Sequence, residues 1–157
     1  MKRPALLILL AALPLLLSIQ EVVAREVTLP PEIIKKISDS ISGEYVTCGA
    51  YYNLLLEDIA RSGDIVGVEM TEYTRNAALE YALLIAKEGS SQEMAEKETL
   101  AGLERNMKSM MEEMDYEIGN ISILMKQYGN RCEEIMEYPD KMMGEWSYKF
   151  LKHYLLQ

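Results

Sequence analysis

Residues 31–64 read PEIIKKISDSISGEYVTCGAYYNLLLEDIARSGD, and the spacing of the apolar residues in this stretch decides the fold class. Ile34, Ile37, Ile41, Tyr45, Cys48, Tyr52, Leu55 and Ile59 recur in steps of three or four. That is the period of one helical face, not the alternation of a strand. The ends agree. Pro30-Pro31-Glu32 suits a helix's first turn, where proline loses no hydrogen bond and an acid meets the dipole. Ser62-Gly63-Asp64 supplies a stop, with glycine free to take the left-handed terminal conformation. Ser42-Gly43 is the one place inside the stretch where a bend or split is expected.

The same period continues downstream. A second helix runs from about Val66 to Lys87, with Met70, Tyr73, Ala77, Tyr81 and Leu84 as its expected inner face and Gly89 closing it. Ser90, three residues before Glu93, has capping-box spacing and opens a third helix. Leu100, Leu103, Met107, Met110, Met114 and Ile118 stay in register there, and Ile121, Met125, Tyr128, Cys132 and Ile135 carry the register on. A single rod of that length would outrun the first two helices, so a turn is expected at Gly119-Asn120, two poor helix formers. Pro139 ends the fourth helix. A last one, from Asp140 to about Leu155, is expected to bury Met143, Trp146, Phe150, Leu151 and Tyr154. Hairpin dipeptides and alternating β-branched runs are missing. The expectation is all-α: an antiparallel bundle of four to five helices, cross-linked by one disulfide.

The N-terminus has the three parts of a secretory signal: Met1-Lys2-Arg3, an apolar run from Ala5 to Leu17, and Val22-Val23-Ala24 at the cleavage position. Residues 1–24 are therefore read as a cleaved signal peptide and 25–157 as a single helical domain. The apolar run falls short of the roughly 20 residues a membrane span needs, so no stable insertion is expected after cleavage. The location that follows is periplasmic or secreted. Two cysteines in an exported chain read first as one bridge, Cys48 to Cys132.

The formal charge is −9. A surface of that sign repels phosphates and excludes nucleic acid as a partner. It suits another protein of basic character.

Candidate chemistry is sparse. Met107, Met110, Met111 and Met114 share one helical face, and thioethers suit Cu(I); the same spacing is also that of a core stripe filled by an adaptable side chain. His153 is the one histidine. With a methionine it would ligate a b-type haem, but it leaves no His-pair zinc site and no Glu-x-x-His di-iron site. Glu112, Glu113, Glu117, Glu133, Glu134 and Glu137 are expected on outer faces, with Glu44 the least exposed carboxylate. Ten tyrosines stand against one tryptophan and one phenylalanine. Tyr45, Tyr52, Tyr73, Tyr81 and Tyr128 are expected to pack in the bundle. Tyr51, Tyr116, Tyr138 and Tyr148 are the expected contact residues, since tyrosine is enriched where surfaces meet partners. No cofactor is called for.

The leading functional expectation is a small exported binding protein without catalytic activity. The alternatives are a Cu(I) or b-type haem carrier using the methionine-rich face, and a small hydrolase using a buried glutamate.

Overall fold

The first helix, α1 (Pro31–Ser62), is unbroken through Ser42-Gly43. Pro31 occupies its first turn, and Gly63 ends it at φ 78°, its N–H donating to Ala60 O. Asp64 then caps α2 (Ile65–Gly89) by accepting from Gly67 N at 3.0 Å. α3 (Gln92–Glu113) is capped by Ser91, which accepts from Met94 N. The capping residue is thus one position later than the Ser90–Glu93 spacing suggests. Beyond a turn lie a 3-10 segment (Ile118–Asn120), the short α4 (Ser122–Leu124), a π turn (Met125–Gly129) and α5 (Asn130–Glu137). The last three follow one another without a break and act as one rod. α6 (Pro139–Leu155) closes the chain. This computed structural model describes residues 29–155, and no strand occurs among them. The expected signal segment 1–24 lies outside the described residues, as do the side chains of Met143, Phe150, Leu151, His153 and Tyr154.

Residue pairings give the topology. Against α2, the approaches are Lys35 to Gly89, Ser42 to Ala82, Gly49 to Leu79 and Ile59 to Gly67, so the two helices run antiparallel. Against α3 they are Lys35 to Glu98, Val46 to Gly102, Thr47 to Asn106 and Asn53 to Met107, so α3 runs parallel to α1. Tyr45 lines a cavity with Pro139 and Asp140, Cys48 is bonded to Cys132, and Tyr51 lies by Gly129, so the rod ending in α5 runs antiparallel to α1 again. The order is up, down, up, down.

α1 is the axis of this arrangement. Tyr45, Val46, Cys48, Gly49, Ala50, Tyr51 and Leu54 are all buried, and at about 100° per residue they cover its whole circumference. A helix apolar all round is one enclosed on every side. α2 and α3 cover one side; the disulfide brings α5 onto the other, with Cα atoms 5.3 Å apart. Closing an 84-residue loop contributes on the order of 4 kcal/mol in the chain-entropy account.

The α1–α2 contact is close because its residues are small. Ala78, Ala82 and Ala86 are the buried side chains of α2, and the Ser42 hydroxyl donates across the interface to Ala82 O at 2.9 Å. A Cβ on Gly89 would stand 2.9 Å from the Lys35 Cα, and one on Gly49 would meet the Leu79 side chain at 2.6 Å. Of the inner face expected from hydropathy, Met70, Tyr73, Ala77, Tyr81 and Leu84, only Tyr81, stacked on Tyr45, and the half-buried Ala77 keep contact with the core. Met70, Tyr73 and Leu84 point to water.

The turn after α3 also differs from expectation. It begins earlier, at Asp115 and Tyr116, with φ 53° and 60°, and Gly119-Asn120 belongs to the 3-10 segment that follows. Left-handed backbone costs a residue other than glycine about 1 kcal/mol or more. Burial of Met114 and Ile118 on either side holds it there, and Tyr116 N and Asn120 Nδ2 donate to the terminal carbonyls of Met111 and Met114. In the π turn Met125 is exposed, outside the apolar register expected of it.

Two glycine substitutions separate close packing from simple helix propensity. Gly89→Val should destabilise the fold by about 1–3 kcal/mol, because backbone stands where its side chain must go. Gly43→Ala, with nothing within 4 Å, should stabilise it by about 0.5–1 kcal/mol. Urea unfolding of both variants measures the difference.

Candidate functional surface

α2 carries apolar residues on two sides. The alanines face α1. On the opposite side Val66, Met70, Tyr73 and Leu84 are 65, 67, 77 and 58 % exposed. Their steps of four, three and eleven keep them on one stripe. Eighteen steps at 1.5 Å make that stripe about 27 Å long. Isolated exposed apolar side chains are ordinary; several on one helix face make that face the candidate contact surface.

Beside the stripe a groove of about 510 Å³ runs between α2 and α3. Leu79 and Leu83 line it from α2, Leu100 and Leu103 from α3, and its two charged lining residues are Glu80 and Glu96, one on each wall. Leu100, expected in the core, is exposed at this groove. Further acids, Glu69 and Glu72, stand exposed along α2. Of the two α2 bases, Arg75 turns aside to Glu72 at 3.1 Å and Asn53 at 3.4 Å. Lys87 lies in the last turn.

The tyrosines divide otherwise than expected. Tyr51, expected at the edge of the apolar face, is 4 % exposed; α5 and the π turn enclose that side of α1, and its hydroxyl lies 3.4 Å from the position of a Cβ on Gly129. It offers no surface to a partner. Tyr73, expected in the core, is the most exposed residue of the α2 stripe. Tyr116, Tyr138 and Tyr148 are exposed. They sit on the turn after α3, at the α5–α6 junction and on α6, and none of them lines the groove. Tyr116 donates to Glu112 Oε1 at 3.2 Å and Tyr138 to Glu137 Oε1 at 2.7 Å. Tyr45 is buried against Tyr81, ring centroids 5.3 Å apart. Burial first, then Tyr51 and Glu133, pushes the Tyr52 phenol up to about 12. Burial likewise raises Tyr45 and Tyr51, so all three stay neutral in ordinary conditions.

Met110 and Met114 are fully buried, and Met107 and Met111 pack partly buried against the same core. Met107 Sδ accepts from Asn53 Nδ2 at 3.6 Å. Among the described residues no three of His, Cys, Asp or Glu stand close enough to hold a metal. The side chain of His153 is outside the described set.

Two carboxylates exchange roles. Glu44 is paired with Arg131 at 3.6 Å and is about a third exposed. Glu113, expected outward, turns in: Tyr128 Oη donates to its Oε1 at 2.9 Å, while Oε2 is buried without a partner. No regular apolar spacing signals that inward turn; it follows from the early end of α3 at Glu113.

If the stripe is surface, polar replacement there is tolerated. The double variant Met70→Gln, Leu84→Gln should unfold within about 0.5 kcal/mol of the parent. Ala82→Leu, against the α1 backbone, should cost about 1–3 kcal/mol. A loss above about 2 kcal/mol in the glutamine variant would place those residues in the core; guanidinium titration reads both.

No protein-family model, curated protein or solved structure matches this chain.

Proposed function

We propose that this chain is a periplasmic or secreted binding protein that acts by contact with another protein and performs no catalysis of its own. The observation that carries this reading lies on α2. Ala78, Ala82 and Ala86, with Leu79 and Ile85 beside them, serve its inner side, yet a row of large apolar side chains is kept in water at Val66, Met70, Tyr73 and Leu84. Such a row favours aggregation unless something covers it. An acidic chain stays soluble meanwhile, since like molecules repel.

Export is supported by the three-part N-terminal segment and by the Cys48–Cys132 bridge, which persists in oxidising compartments. No helix among the described residues is long and apolar enough to cross a membrane. The two sides of α1 then have separate duties. α5, tied by the disulfide, closes the core. α2 and α3 present the free face.

The test is native mass spectrometry of protein recovered, unreduced, from the compartment in which it accumulates. The parent chain should carry a protein partner, and Tyr73→Glu, Leu84→Glu should be recovered without it while keeping the parent's helical circular dichroism. Equal recovery of the partner by both forms would remove α2 from the interface, and a parent chain recovered alone would remove the binding role.

A further inference from the structure

We infer that the partner presents a basic amphipathic helix, which lies in the groove between α2 and α3. The inference rests on the binding role proposed above and specifies its occupant. The groove runs from Asn76 to Leu83 on one wall and from Glu96 to Leu103 on the other. Seven steps on each wall span about 10 Å, or two helical turns. That length holds three anchors at i, i+4 and i+7, the pattern of a helix docked in an apolar groove. The four leucines supply the floor for those anchors. A helix there would pack on two others, as helices in a bundle do.

Charge selects among helices. Glu80 and Glu96 stand on opposite walls, so a docked helix meets an acid on either side of its apolar stripe. A helix with lysine or arginine flanking its leucines pairs with both. A second copy of this chain would bring Glu80 and Glu96 against the same pair of acids, and like charges across an interface oppose docking. The overall charge of −9 attracts a basic partner and repels another copy before contact.

The probe is a synthetic peptide of about five helical turns, with leucines at i, i+3, i+4 and i+7 and lysines elsewhere. Its counterpart carries glutamates in place of the lysines. Fluorescence anisotropy with the full chain should show the lysine peptide binding at least ~10-fold tighter, and binding should weaken as salt rises. Glu80→Lys, Glu96→Lys should weaken it ~10-fold or more. Glu117→Lys, Glu133→Lys changes the net charge equally but outside the groove, and should leave it within ~2-fold. Equal weakening by both double variants would show bulk attraction and overturn the inference; so would equal binding of both peptides, or of neither. Sedimentation showing a dimer that Leu100→Glu dissociates would assign the groove to a second copy instead. If the native partner is lost with Tyr73→Glu, Leu84→Glu but kept by Glu80→Lys, Glu96→Lys, the binding role stands and the groove assignment falls.

Discussion

The close approach of α1 and α2 governs the rest of the molecule. Gly89 admits the α1 backbone near Lys35, Gly49 admits Leu79, and Ser42 reaches the Ala82 carbonyl. Where the two backbones come closest the gap takes alanine, while Leu79 sits over Gly49 and Tyr81 stacks on Tyr45. Val66, Met70, Tyr73 and Leu84 lie on the far side of α2, so its outer surface is apolar as well. The core makes up its volume elsewhere, from Tyr45, Leu54, Met110, Met114, Leu124 and Ile135 around α1.

Enclosure of α1 needs a cover on the side away from α2. The rod of α4, the π turn and α5 provides it, and the Cys48–Cys132 bridge fixes its position at the centre of α1. The chain reaches that position by a left-handed turn at Asp115-Tyr116, whose cost is offset by burial of Met114 and Ile118. Glu113 ends α3 at this turn, which is why its carboxyl points inward to Tyr128. The methionines whose spacing allowed a copper site sit in the same region, two of them wholly inside.

Much of this is legible in the residues, and each miss has a physical cause. The helix through Cys48, its glycine stop at Gly63, the pairing with Cys132 and the all-α class follow from periodicity and from cysteine count. Periodicity ranks positions by hydrophobicity, however, and alanine ranks low. The Ala78, Ala82, Ala86 stripe therefore gives a weaker signal than Met70, Tyr73 and Leu84, which point the expected face of α2 the wrong way. Tyr51 was misplaced for a related reason: a helix with one strong apolar face gives little sign that its other faces are also covered. The turn at Asp115-Tyr116 lacks the glycine that marks such turns, and Gly119 lies in the 3-10 segment just beyond it. The groove with Glu80 and Glu96 depends on which way α2 is rotated, so no reading of the chain alone could bring it together.

The orientation of α2 about its axis is the central claim, and thiol reactivity measures it directly. Leu84→Cys and Ala82→Cys variants, with the native disulfide intact, are each exposed to a bulky maleimide under native conditions. The structure requires the thiol at position 84 to react at the rate of an open peptide thiol and the one at position 82 to be protected by orders of magnitude. The reverse order would mean that α2 buries its large residues after all, and the outward surface proposed to bind a partner would not exist.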